Sequence, residues 1–239
     1  MIDDLNDYLM GIVIGIRFQP NFVIDDKFGY IADTLLYSEK SLFNSEVFPT
    51  VTIAQPPQLI LNHEQLKDRM LFDKSNVILD INFDEGSPFT KNDIPKIVDA
   101  FDNQIIKGVI KDLLISRIMR IGFIRKYLFL DNQLIKSFLS QIANDKDQNI
   151  SEFDLRFTRK YSAGESLTKN EKNDFKNAIV TLSKKADSET GIEISLDYQR
   201  FYYPYLSSYS LIKFNQFFQE AESYNSKTFT TWLSNFLEK

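Results

Sequence analysis

Across 239 residues there is no cysteine and only one histidine, His63. The first absence excludes disulfides, thiolate metal sites and a cysteine nucleophile; the second excludes any centre that needs two imidazoles, such as a zincin or a classical zinc deaminase. Glycine is also sparse, at 8 residues. Neither Gly-x-Gly-x-x-Gly nor a Gly-Lys-Ser/Thr loop occurs, which removes the standard phosphate cradles for dinucleotides and nucleoside triphosphates. A Gly-x-Ser-x-Gly elbow is missing, and His63 follows Asn62 at the end of an apolar run, where a turn role is expected. No apolar stretch reaches bilayer length, and the first residues, Met1-Ile2-Asp3-Asp4, are acidic where a signal peptide is basic, so a cytoplasmic location is expected.

What is present is apolar and aromatic. Hydrophobic residues make up 43% of the chain, with 21 Phe and 11 Tyr, enough to build a core and to rule out a disordered chain. A shift of 107 residues lays Ile14-Gly15 on Ile121-Gly122, Asp25 on Asn132, and Phe28, Ile31, Ala32 and Leu35 on Ile135, Phe138, Leu139 and Ile142. In each copy a β-rich run, 10–23 or 117–130, meets an Asx residue and then apolar positions at helical spacing. Three extended segments follow each copy: 47–61, 68–72 and 77–83 in the first, 150–161, 175–184 and 191–203 in the second. A helix closes each set, at 93–110 and at 208–221, and a last helix is expected over 226–239 with Phe229, Trp232, Leu233, Phe236 and Leu237 on one stripe. The polar stretches 145–149 and 163–173 read as loops.

The pattern predicts an α+β fold of two related strand-helix-three-strand-helix halves, 1–110 and 111–239, with antiparallel sheets and helices on one face. With no flexible linker between them, the halves are expected to share one continuous sheet or interface. Clean alternation supports one polar sheet face: Ile192, Ile194, Leu196 and Tyr198 alternate with Glu193, Ser195, Asp197 and Gln199, and Phe153, Leu155 and Phe157 alternate with Asp154, Arg156 and Thr158.

Charge is divided unevenly. Residues 1–110 hold 9 Lys and Arg against 17 Asp and Glu, and residues 111–239 hold 19 against 16. Arg117, Arg120, Arg125, Arg156, Arg159 and Lys160, interleaved with Tyr127 and Tyr161, could contact nucleic acid or an acidic protein surface. The cluster Tyr198, Phe201, Tyr202, Tyr203, Tyr205 and Tyr209 around Pro204 suits an interface anchor or a plug in the corner between strand and helix. Asp80, Asp84 and Asp197, with Glu193, could hold Mg²⁺ or Mn²⁺ for a nuclease, since hard cations take carboxylate oxygens.

At residues 12–18 (Ile-Val-Ile-Gly-Ile-Arg-Phe) and 119–127 (Met-Arg-Ile-Gly-Phe-Ile-Arg-Lys-Tyr) the chain resembles a sporadically distributed, uncharacterised bacterial family. That family has an early Gly-x-Arg-Phe strand and a mid-chain strand of Arg-Ile-Gly-Leu-Arg-Tyr-Ile-Asn type. Leu196-Asp197 and the Phe-rich residues 214–221 resemble its closing strand and helix. In this chain Arg125 stands three residues after Gly122 instead of two. The resemblance implies a prokaryotic or phage-borne accessory protein of mobile gene neighbourhoods and supplies no reaction.

These observations lead to an expected non-catalytic adaptor or regulator that needs no cofactor and binds another protein or a second copy of itself. Its setting would be bacterial defence, toxin neutralisation or another mobile-element system. Nucleic-acid binding is the alternative and a metal-dependent nuclease the third possibility; no membrane partner is expected.

Overall fold

A computed structural model describes residues 4–130, 135–137, 139–140, 152–162, 174–184 and 191–237. It contains a single antiparallel sheet of nine strands, accompanied by helices. The strands are β1 (Leu9–Phe18), β2 (Thr50–Ala54), β3 (Gln58–His63), β4 (Asp68–Asp73), β5 (Asn76–Asn82), β6 (Ile118–Phe129), β7 (Phe153–Ser162), β8 (Phe175–Lys184) and β9 (Ile192–Leu206), in the spatial order β2-β3-β4-β5-β1-β6-β9-β8-β7. The helices are α1 (Val23–Asp26), α2 (Phe28–Leu36), α3 (Ile94–Ala100), α4 (Phe214–Ser223) and α5 (Thr230–Leu237). Two π-helical stretches extend them: Phe101–Ile110 continues α3, and Tyr224–Phe229 joins α4 to α5.

Strand alternation decides which face is covered. On β1, Ile12, Ile14, Ile16 and Phe18 are buried while Arg17 is exposed. The buried residues of α2, α3 and α4, with Phe229 and Leu233 beyond them, form one continuous core with that face. Phe101 stacks on Phe214 at 5.5 Å, Phe218 meets Phe123 edge-on at 5.2 Å, and Tyr198 packs on Phe217 at 5.8 Å. Each such ring removed from water stabilises the fold by about 2–3 kcal/mol. On the opposite face Arg17, Arg156, Thr158 and Lys160 are exposed, Arg120 and Lys126 are half-buried, and Asp80, Ile179 and Gln199 are buried.

The sequence expectation of one strand over 47–61 is corrected. Pro56 and Pro57 cannot donate to a ladder, and the chain turns at residues 55–57 to give two strands, β2 and β3, with Val47 and Phe48 buried ahead of them. The first half therefore has four strands after its helix where three were expected. The second trio begins and ends close to the expected limits. In the second copy's helix, residues 135–137 and 139–140 are helical; Asn132, Phe138 and Ile142, and the loops 145–149 and 163–173, lie outside the described residues.

β1 and β6 run side by side at the centre of the sheet, with Gly15 directly opposite Gly122. These are the two glycines that the 107-residue shift aligns. Outward from them the order is β5-β4-β3 on one side and β9-β8-β7 on the other, so backbone hydrogen bonding continues from one half into the next.

Candidate functional site: the bare face of the sheet

Ladder register assigns the side chains of the bare face to rows that cross the strands. One row reads Asn76, Arg17, Arg120, Phe201, Phe175, Ser162. The next reads Ile78, Gly15, Gly122, Gln199, Asn177, Lys160, and the third reads Asp80, Val13, Ile124, Asp197, Ile179, Thr158. A fourth carries Asn82, Gly11, Lys126, Ser195, Thr181 and Arg156. Because the central pair of the second row has no side chains, the face sinks there. The depression holds about 100 Å³, with Val13, Ile78 and Ile124 beside the glycines and Arg17, Arg120, Asp197 and Gln199 around them.

Several charges on this face lack the usual counter-charge. Arg17 and Arg120 are cross-strand partners, a placement that makes like charges repel. Neither forms a hydrogen bond or an ion pair with a described residue. Burial and the nearby Arg17 push the Arg120 guanidinium down, and the Asp197 carboxylate opposes that shift. Asp197 itself is pushed up to about 6 by burial, against the opposing effects of the Gln199 amide, which donates to it, and of Arg120 and Arg156. A carboxyl at that value changes charge near neutrality.

Beside this centre, Phe201 and Phe175 stack with ring centres 4.6 Å apart. The Arg120 guanidinium lies 5.6 Å from the Phe201 ring and the Lys160 ammonium 3.9 Å from the Phe175 ring. The rings therefore hold the two cations on the surface by cation–π attraction. On the other flank, Lys126 reaches across β1 to Asp80 at 2.5 Å, and Arg69 approaches the same carboxylate at 3.6 Å. Behind them a cavity of about 540 Å³ is lined by His63, Lys67, Asp68 and Asn82. Asp68 is fully buried, accepts from the Asn82 backbone at 2.7 Å, and is pushed up chiefly by burial.

The residues singled out from sequence divide between the two faces. Arg120, Arg156 and Lys160 share the bare face. Arg125 is 5% exposed on the covered side, where its guanidinium donates to both Glu222 oxygens at 3.0 and 2.6 Å and to Asn6 at 3.2 Å. Arg159 alternates to the side of Tyr161, whose hydroxyl donates to that of Tyr224 at 3.0 Å. Arg117 stands just ahead of β6, donating to Gln19 and lying over the Tyr205 ring.

The Tyr-rich corner is mostly interior. Tyr198 and Tyr202 are buried; burial pushes Tyr198 up to about 12 and raises Tyr202 as well. Phe201 belongs to the bare-face stack, Tyr205 and Tyr209 are half-buried, and Tyr203 alone of the six is mainly exposed. The three proposed metal ligands do not converge. Asp80 on β5 and Asp197 on β9 are three strand spacings apart, about 14 Å. Asp84 follows β5 in a loop, and no group of three or more potential ligands occurs among the described residues.

The sequence reading missed Arg17, Gln199 and the glycine pair as a unit. A signal existed: Arg17 lies two residues after Gly15 and Arg120 two before Gly122, the relation that an antiparallel pairing centred on the glycines turns into contact. Comparison of the chain with protein-family models, with curated proteins and with solved structures finds no match.

Proposed function

We propose that this protein is a non-catalytic binding protein, an adaptor or regulator, that recognises an acidic partner surface with the bare face of its sheet. The observation that carries this reading is the group Arg120, Arg156 and Lys160, which shares one face and, among the described residues, forms no ion pair with a carboxylate, Asp197 being the acid near the two arginines. Cations that the fold does not use can be neutralised by a partner at little structural cost. The sheet face replaces the Tyr-rich corner as the main contact, since two of the corner's rings serve the core. The family resemblance supports a setting in bacterial defence, toxin neutralisation or another mobile-element system.

The same three cations favour a second reading, contact with single-stranded nucleic acid. Base stacking needs a free aromatic face. Phe175 and Phe201 cover one another, and Lys160 and Arg120 lie over them, so such contact would fall on phosphates. Fluorescence anisotropy with labelled polyglutamate and with a labelled single-stranded oligonucleotide separates the two readings. Saturable binding of polyglutamate that weakens between about 50 and 200 mM salt is expected. Preference for the oligonucleotide would transfer the proposal to nucleic acid, and binding of neither probe would overturn both.

A further inference from the structure

We propose that the depression over Gly15 and Gly122 is a seat for a phosphoryl group, held by the forked guanidinium groups of Arg17 and Arg120. Two like charges set opposite one another on adjacent strands destabilise a sheet unless an anion lies between them. Among the described residues no carboxylate forms an ion pair with either arginine: Asp197, on the wall of the depression, accepts from the Gln199 amide and offsets Arg120 only in part, and Asp73 accepts two hydrogen bonds from the Asn76 amide at 3.1 Å. A tetrahedral dianion offsets both charges and offers each guanidinium its own oxygen, which a carboxylate monoanion cannot do as fully.

Size and setting agree with this ligand. The depression, about 100 Å³, admits a phosphate and is too small for a nucleoside. Its floor is backbone at the two glycines, with Val13, Ile78 and Ile124 beside it, so water screens the half-buried Arg120 less than on an open surface, while Arg17 is exposed. A Cβ built at Gly15 meets nothing nearer than the Val77 carbonyl oxygen at 3.8 Å, and one at Gly122 nothing nearer than Asp197 and Gln199 at 3.8 Å. Neither glycine is demanded by the neighbouring backbone, yet each keeps the floor low. This site shares Arg120 with the acidic-partner surface but does not rest on that reading, because its ligand is a small ion and Arg17 and the glycine floor take no part there.

Isothermal titration calorimetry of the full chain, at constant ionic strength, tests it with inorganic phosphate, methyl phosphate, dimethyl phosphate and acetate. Inorganic phosphate and methyl phosphate are expected to bind saturably and acetate not to. The double variant Arg17→Gln/Arg120→Gln should bind phosphate about tenfold more weakly or worse, a loss of about 1.4 kcal/mol. Gly15→Ala/Gly122→Ala, whose added methyl groups fit the fold, should weaken binding by filling the seat, while Arg159→Gln on the other side should leave it unchanged. Dimethyl phosphate binding as well as methyl phosphate would assign the seat to diesters, and its failure to bind would assign it to terminal phosphates; both support a phosphoryl site. Acetate binding as tightly as phosphate, or undiminished phosphate binding by the double arginine variant, would overturn it.

Discussion

The two faces of the sheet treat their cations differently. On the covered face Arg125 and Lys176 each meet a helix carboxylate at 2.6 Å, Glu222 and Glu220 respectively. On the bare face Arg120 and Lys160 lie against phenyl rings instead, and Arg17 and Arg156 have no ion pair among the described residues. The exception, Lys126 with Asp80 and Arg69, lies toward the acidic first half. A paired and buried cation is needed by the fold, because removing its partner leaves a desolvated charge. Lys160 is exposed and Arg120 half-buried, and a cation that rests on a ring without an ion pair costs the fold less to lose, so its presence calls for an explanation in binding.

The largest effect that could break this contrast is on the covered side. Glu222→Ala strands Arg125, and urea denaturation should show a loss of about 3–5 kcal/mol, with most of it restored in Arg125→Met/Glu222→Leu. A loss no larger than that of an ordinary surface substitution would erase the distinction between the faces.

Next comes Asp197. Its pKa is pushed up from the ordinary 3.8 to about 6, so the fold favours the neutral acid. That favourable contribution is complete below about pH 4 and is lost as pH rises through about 6. Asp197→Asn, which keeps the acceptor for Gln199, should stabilise the protein by up to about 3 kcal/mol at neutral pH and by nothing below about pH 4. Denaturation curves at several pH values check this, and a gain independent of pH would contradict the burial argument. It should also tighten phosphate binding at neutral pH, since it removes an anion from the wall of the seat.

The smallest effect expected on stability belongs to the bare-face cations. Arg120→Ala/Lys160→Ala should cost about 1–3 kcal/mol in total, the value of one exposed cation–π contact at Lys160 and one half-buried contact at Arg120, while polyglutamate binding is lost. A stability loss as large as that of Glu222→Ala would mean that these cations belong to the fold after all.

Much of the fold was legible because alternation and helical stripes record which residues share a face. The expected strand 175–184 is β8 as observed, and the stripe Ile94, Ile97, Val98, Phe101, Ile105, Val109 does lie on the core. Pro56 and Pro57 could have signalled the break between β2 and β3. The division of the basic cluster was legible too: Arg120 and Arg125 are five residues apart on one strand, as Arg156 and Arg159 are three apart on another, so each pair must point to opposite faces. Strand order was not legible, since it depends on long-range packing. That order separates Asp80 from Asp197 and brings Arg17 to Arg120. It is also the order that a duplicated unit would give, and superposition of residues 1–110 on 111–239 is the test of that origin.

The most direct test of the bare face as the recognition surface is the polyglutamate isotherm of Arg156→Glu/Lys160→Glu set beside that of Arg159→Glu. These charge reversals lie on one exposed strand and differ in the face they alter. The account expects binding to vanish in the double variant and to persist in the single one. Equal loss in both, or persistence in both, would contradict it.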